Sequence, residues 1–441
     1  LATESDLGLA GTGYDTDDLD DLLSRLGTSP DLDEPDGGIE TPEGADELPS
    51  EVEALTKAGD VVQVGRHTLH CGDCIEVMRG LPDCSVDAIV TDPPYGISMM
   101  GKAWDCAVPG DDFASEAYRI LRPGGHIVAF AATRTIHRLT VALEDAGLDI
   151  RDQICWLTWQ GFPKSHDASK ALDQHFGAER EVVGSYEVTR DLSGGSWADL
   201  HGKANGATMH SITAPATPEA QQWQGWGTAL KPCSEPCVLA RKPLEGTVAE
   251  NLLKWGVGAL NIDGCRYPYG DPAWPGPSDK FEAVEQGTMP QPMDWGNSRR
   301  AVVSHAHPEG RWPANVYHTP KASRSEREQG CDELPTVTGA QAVERQADTA
   351  GLNSPRAGAG RTATTVRNGH PTVKPVRLMQ WLVRLVTPPG CTVLEPFAGS
   401  GTTLLACEIE GFDCIGIEME PAYCDIVRAR LTSWQAQTDH P

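Results

Sequence analysis

The chain has no run of about 18 or more apolar residues, which excludes a membrane-spanning helix of ordinary length. Its start carries no secretory pattern, and its 13 cysteines lack the spacing of a disulfide framework. Both point to a reducing cytoplasm rather than to secretion. Basic residues are scarce: 36 Lys and Arg stand against 63 Asp and Glu, for a net charge of −27. Taken whole, that balance argues against a partner as acidic as a nucleic acid. Its distribution does not. Residues 1–60 hold 18 acids and only two bases, Arg25 and Lys57, which leaves −11 for the remaining 381 residues. Between Arg299 and Arg377 there are 12 bases and seven acids, a net of +5. Local phosphate contact therefore stays open.

What is present is enough chain, 441 residues, for two domains and a substantial core. Residues 1–58 are acidic and rich in Gly, Pro and Asp, and read as a flexible linker. The chain begins on Leu1, so the true N-terminus is expected upstream. From about Asp60 strands and helices alternate. Strands are expected at 61–64, 67–71, 86–91, 125–131 and 153–159, and helices end at breakers such as Arg122-Pro123-Gly124-Gly125. The pattern weakens over residues 162–368, where one clear strand, 235–241, is closed by Lys242-Pro243. This stretch is too long for a structureless loop and reads as an inserted irregular domain. Order returns over 369–434, with strands at 392–395 and 413–418. The ordered blocks 59–161 and 369–434 together supply seven strands of one doubly wound α/β sheet, joined by strand 235–243 from the insertion.

Two motifs sit where such a sheet binds ligands. The apolar strand 86–91 runs into Asp92-Pro93-Pro94-Tyr95. Two prolines cannot extend a strand, so the chain turns and leaves an acid and a ring at its carboxyl end. That pair suits a planar heterocycle bearing an amino group. Later, Phe397-Ala398-Gly399-Ser400-Gly401 joins a strand to a helix, where glycine lets backbone approach a ligand at the helix N-terminus. Glu418 ends the next strand, 17 residues beyond Gly401, where an acid can accept from both hydroxyls of a ribose. Asp73, in Gly72-Asp73, reads from its position as a helix N-cap.

Cysteine chemistry finds no framework. Cys233 and Cys237 each follow a proline but read as structural, and Cys71-x-x-Cys74 has no second pair of matching spacing. No metal is expected.

Asp-Pro-Pro-Tyr and Phe-x-Gly-x-Gly together resemble the amino-directed DNA methyltransferases. The order, tetrapeptide first, long irregular region second and glycine loop last, resembles their permuted beta group over about residues 60–434. The runs Met100–Asp105, Gly161–Ser165 and Gly310–Asn315 resemble phage and prophage members. The resemblance implies a Rossmann-like S-adenosylmethionine methyltransferase sheet acting on double-stranded DNA. It assigns the tetrapeptide Asp92, Pro93, Pro94 and Tyr95 to catalysis. It assigns Phe397, Gly399, Gly401 and Glu418 to the cofactor, with Asp73 near its adenine. Glu395 stands where the family usually has Asp, and Lys374, in His370-Pro371-Thr372-Val373-Lys374-Pro375, would suit the cofactor carboxylate. Residues 162–368 become the target-recognition region, with Arg299, Arg300, Arg311 and Arg324 as candidate DNA contacts and Lys102 near a phosphate. Some relatives carry an upstream ParB-like domain, whose linker the acidic start could continue. Asp at position 92 favours adenine N6 over cytosine N4, for which Ser is commoner. An RNA methyltransferase usually shows Asn first. An inactive DNA-binding module is disfavoured by the intact motifs. No nuclease motif is evident, although the resemblance implies a restriction-modification setting.

Overall fold

The computed structural model describes residues 54–97, 103–159, 161, 165–188, 208–274, 307–338 and 365–438. Lys102, Arg299, Arg300 and nearly all of the acidic segment lie outside these residues. The described elements all belong to the compact unit Glu53–Pro441.

A hairpin opens the fold: β1 (Val61–Val64) pairs antiparallel with β2 (His67–Cys71). The other strands of the main sheet are β3 (Val86–Thr91), β4 (Leu121–Phe130), β5 (Asp149–Leu157), β8 (Ser234–Arg241), β9 (Val316–His318), β12 (Thr392–Glu395) and β13 (Asp413–Glu418). Their order is β1-β2-β13-β12-β3-β4-β8-β5-β9. Two short hairpins lie apart from it, β6 (Val182–Val188) with β7 (Thr208–Thr213) and β10 (Val337–Thr338) with β11 (Thr365–Val366). Strands β2, β13, β12, β3 and β4 run parallel, and β8 enters antiparallel to both β4 and β5. This is a Rossmann-like, mostly parallel sheet that holds the seven expected strands and the joining strand β8, with β9 added at one edge.

The strand residues alternate between two apolar layers, as a period of two requires. Ala88, Val90, Val128 and Phe130 join one core with Leu382, Leu404 and Val427. Those last three lie on α8 (Val376–Val386), α9 (Thr402–Glu410) and α10 (Pro421–Thr438). Ile89, Ile127 and Ala129 join the other core with Met78, Phe113 and Leu139. These come from α1 (Cys74–Gly80), α2 (Asp111–Ile120) and α3 (Ile136–Asp145). Both faces of the sheet are therefore covered, which explains its near-continuous apolar strands. Two strands begin earlier than their sequence pattern suggests: β4 starts directly after α2, and β5 starts at Asp149. Among the described residues no helix is long and apolar enough to cross a membrane.

The 162–368 region is not one separate body among the described residues. Besides β8 and β9, its helix α6 (Val248–Trp255) is tied to the start of β4, because Asn251 Nδ2 donates to the carbonyls of Pro123 (3.0 Å) and Val257 (2.7 Å). Trp381 Nε1 of α8 donates to the Cys265 carbonyl (3.1 Å), and the Tyr267, Tyr317 and Trp381 rings meet at 5.0–6.1 Å. These buried rings extend the sheet's own core, so the parts of the segment that carry Tyr267 and Tyr317 are packed into it. A satellite made of residues 165–188 and 208–228 carries α4 (Ala168–His175), the β6–β7 hairpin and α5 (Pro218–Gln222).

Candidate active site

The carboxyl ends of β3 and β12 open on one cavity of about 480 Å3. That lies within the roughly 300–1,000 Å3 usual for small-molecule sites. The tetrapeptide forms one wall and the glycine loop the other.

At the β3 end the turn is locked from below. Buried Asp105, in the short 3-10 turn Ala103–Asp105, accepts from the backbone N–H groups of Tyr95 (2.6 Å) and Gly96 (2.9 Å). Gly96 has φ +64°, a conformation that admits glycine at little cost. The Tyr95 hydroxyl donates to Asp92 Oδ1 at 2.8 Å. Lys374 Nζ forms an ion pair with Asp92 Oδ2, donates to the Tyr95 hydroxyl at 3.1 Å, and lies 3.4 Å from Glu235 Oε2. Glu235 is held in turn by Lys321 at 2.9 Å. Asp92, Lys374, Glu235 and Lys321 thus make a row of alternating charges. Burial raises the pKa of Asp92, and the Lys374 charge opposes it. Burial acts against the Lys374 ammonium, but Asp92 and Glu235 outweigh it and hold its pKa above the usual value. The ammonium also sits 4.7 Å from the Phe130 ring centroid and 5.4 Å from that of Tyr95, within cation–π range.

At the β12 end Glu395 is buried and faces inward. It accepts from the Thr91 and Thr403 hydroxyls and from Phe397 N–H (3.1 Å), tying β3, β12 and α9 together. Burial raises its pKa to about 8. Glu418 accepts from Gly399 N–H (2.7 Å) and Glu420 N–H (2.8 Å), one on each oxygen, and burial raises its pKa to about 7. Each oxygen keeps a further lone pair for a ligand hydroxyl. Gly399 and Gly401 have φ of +54° and +76°. A Cβ on Gly399 would meet His370 Nε2 at 2.8 Å, and one on Gly401 would meet Val427 at 2.8 Å. Gly401 is thus required by packing against α10 as well as by its turn. Asp73 Oδ1 caps α1, accepting from Ile75 N–H (2.9 Å) and Glu76 N–H (3.0 Å), while the residue also lines the cavity.

The cavity therefore brings together Asp92, Pro93, Pro94, Tyr95, Asp73, Lys374, Glu395, Phe397, Gly399 and Glu418. Two of them differ from their expected roles. Lys374 turns toward Asp92 rather than standing open to a cofactor carboxylate, because two buried acids surround it. Glu395 spends both oxygens inside the protein. The two described arginine candidates lie elsewhere. Arg311 packs over the Trp274 ring at 4.9 Å, and Arg324 donates to the Thr365 carbonyl at 2.9 Å. Cys237 is fully buried beside the charge row, with a thiol pKa pushed far up by burial, as a structural cysteine would be. Sequence reasoning missed Glu235, Asp105 and Arg327. Glu235 opens a strand that was legible, but an acid at a strand start has no signature. Asp105 closes the run Met100–Asp105, which does carry one.

Comparison with known proteins converges on one class. A family model for N6/N4 DNA methylases matches residues 86–429. The type II methyltransferase M.HindIII of Haemophilus influenzae is 22% identical over 324 residues, covering 73% of this chain and 67% of its own. M.HpaI of Haemophilus parainfluenzae is 30% identical over 113 residues, 24% of this chain and 36% of its own. The putative methylase YubD of Escherichia coli strain K12 is 44% identical over 66 residues, 15% of this chain and 29% of its own. The chain thus spans about a third of these last two. Among solved structures, the cytosine-N4-specific PvuII DNA methyltransferase aligns over 86% of this chain and 90% of its own, at 14% identity and a TM-score of 0.39. The M1.HpyAVI complex with S-adenosylmethionine aligns over 82% and 99%, at 16% identity and a TM-score of 0.36.

Proposed function

This chain belongs to the N6/N4 DNA methylase family, and we propose that its target within that class is the exocyclic N6 amino group of adenine in duplex DNA. The family's cofactor is S-adenosylmethionine, and the residues present suit it. Glu418 offers acceptors where a ribose would lie, Asp73 lies at the neighbouring strand end, and the glycine loop leaves room beside them. Bound there, the cofactor would supply a methyl group on a positively charged sulfur.

The observation that carries the reading is the pair of oxygens on Asp92, aimed across the cavity from the glycine loop and held by Lys374 and Tyr95. An exocyclic amine is a poor nucleophile because its lone pair is delocalised into the ring. Asp92 would accept one N–H of the amine and the Pro93 carbonyl the other, drawing the nitrogen toward a tetrahedral shape. The nitrogen's lone pair would form the new bond to the methyl carbon as the carbon–sulfur bond breaks and its electron pair leaves on sulfur, and the proton the nitrogen sheds would pass first to Asp92. No covalent enzyme intermediate is needed, and positioning supplies most of the rate. The Tyr95 ring would stack on the base. Taking that base out of a duplex costs a few kcal/mol, and one aromatic contact returns roughly 1–3 kcal/mol. Target recognition falls to the 162–368 segment, in which the satellite of residues 165–188 and 208–228 is a described part not committed to the sheet. A cytoplasmic location follows from that substrate.

Expression in methylation-free cells, with modified bases mapped by single-molecule sequencing, tests the proposal. N6-methyladenine in a fixed sequence context is expected. N4-methylcytosine would move the target to cytosine. Intact cofactor binding without any modification would favour a DNA-binding module.

A further inference from the structure

Among the described residues three cations line the cavity: Lys374, Lys321 and Arg327. An ammonium has three donors. Those of Lys374 face Asp92, the Tyr95 hydroxyl and Glu235. Lys321 is paired with Glu235. Arg327 is different. It lies on α7 (Arg324–Glu328), and its guanidinium donates to the His370 carbonyl at 2.8 Å. Among the described residues no carboxylate lies within 4.0 Å of it. The His370 ring is the group a Cβ on Gly399 would strike, so Arg327 stands beside the glycine loop. A part-buried guanidinium without an anion, in a cavity wall, is an anion receptor in waiting.

We propose that the cations divide the work: Lys374 positions Asp92, and Arg327 receives the carboxylate of the cofactor's amino-acid tail. This rests on the reading of the cavity as an S-adenosylmethionine site. Lys374 is a positioning residue, acting on the amine only through Asp92. Its charge opposes the upward push of burial on the Asp92 pKa, and its contact fixes Oδ2, so that the remaining lone pairs face the cavity. The groups that set Asp92's charge are Lys374 from the segment before α8, Tyr95 from its own loop, Glu235 and Cys237 from β8, and Glu395 from β12. Removing the Lys374 charge should raise Asp92's pKa, and removing the Glu235 charge should lower it.

Two measurements on the full chain test this. The first is calorimetric binding of S-adenosylmethionine and of its decarboxylated form. Wild type should prefer the carboxylate by about 10- to 100-fold. Arg327→Met should erase that preference, and Lys374→Met should keep it. The reverse pattern, or no preference in wild type, overturns the assignment of Arg327. The second is the pH profile of kcat. In Lys374→Met the acid limb should move up by about one unit or more, with kcat at neutral pH down about 100-fold, and Lys374→Arg should recover part of the loss. Glu235→Gln should move the limb the opposite way, and it serves alone if Lys374→Met does not fold. Unmoved limbs in folded variants overturn the positioning role. If wild type binds neither ligand, the underlying site reading fails instead, and the two failures are distinct.

Discussion

The cavity and the 165–228 satellite are each organised around an aspartate, and the two aspartates are treated in opposite ways. Asp173 in the satellite is buried and saturated. Its oxygens accept from Ala216 N–H (3.0 Å), Thr217 N–H (3.0 Å), the Thr217 hydroxyl (2.8 Å) and Arg180 (2.6 Å). Burial pushes its pKa up, but those donors, backbone N–H first, outweigh it and bring the pKa below the usual range. Asp92 is held by two side chains and borders open space, and its pKa is raised. Donors fixed in a turn make a structural staple, because nothing is left to offer. Donors on side chains around a void make a site, because the carboxylate keeps free directions.

Breaking each aspartate separately should show the difference. Asp92→Ala should lower methylation by at least about 1,000-fold, comparable to losing a key electrostatic group. Its affinity for S-adenosylmethionine should stay within about threefold of wild type by calorimetry. Asp173→Ala should leave cofactor affinity intact but loosen the satellite, making 165–228 the first segment cut in limited proteolysis, with DNA affinity down roughly tenfold. Loss of cofactor binding in this variant would mean that the two regions are not energetically separate. Tyr95→Phe sharpens the contrast: it keeps the ring and removes one donor to Asp92, so kcat should fall about tenfold with a smaller change in DNA affinity. The smallest effect concerns pH. Glu395 and Glu418 have folded pKa values raised to about 8 and about 7, above their unfolded value of 4.5. Their stabilisation is therefore full below about pH 4.5 and lost as pH rises through 7 to 8. The melting temperature should decline over that window, and Glu395→Gln should flatten the decline.

How much of this could be read from the chain depends on the range of the interaction. The turn at Asp92-Pro93-Pro94-Tyr95 was legible because proline cannot continue a strand, and the glycine loop because strand, glycines and helix follow each other directly. Asp73's capping role was legible for the same local reason. The Lys374–Asp92 pair joins residues 282 positions apart, and Tyr95 and Glu235 are 140 apart. Nothing local marks such partners; only the sheet order brings them together. The fate of Arg311 shows the converse. An arginine in a basic stretch suggests phosphate, and nothing local announces that its guanidinium also packs over the Trp274 and Tyr269 rings. The middle region looked like one insertion because its strands are short and irregular, whereas buried Tyr267 and Tyr317 fasten much of it to the core.

The sheet order has a bearing on how the protein is made. Strands β12 and β13 leave the ribosome long after β2 and β3, yet they lie between them. Until they arrive, β2 and β3 each carry an unpaired parallel edge, and the gap between them is two strands wide. Pairing over more than 300 residues is slow, and open edges invite wrong partners. A nascent chain therefore carries Asp92 without a wall opposite it until β12 emerges. These late strands complete the middle of the sheet, so a product truncated before them would be a solubility hazard before it could be a catalyst.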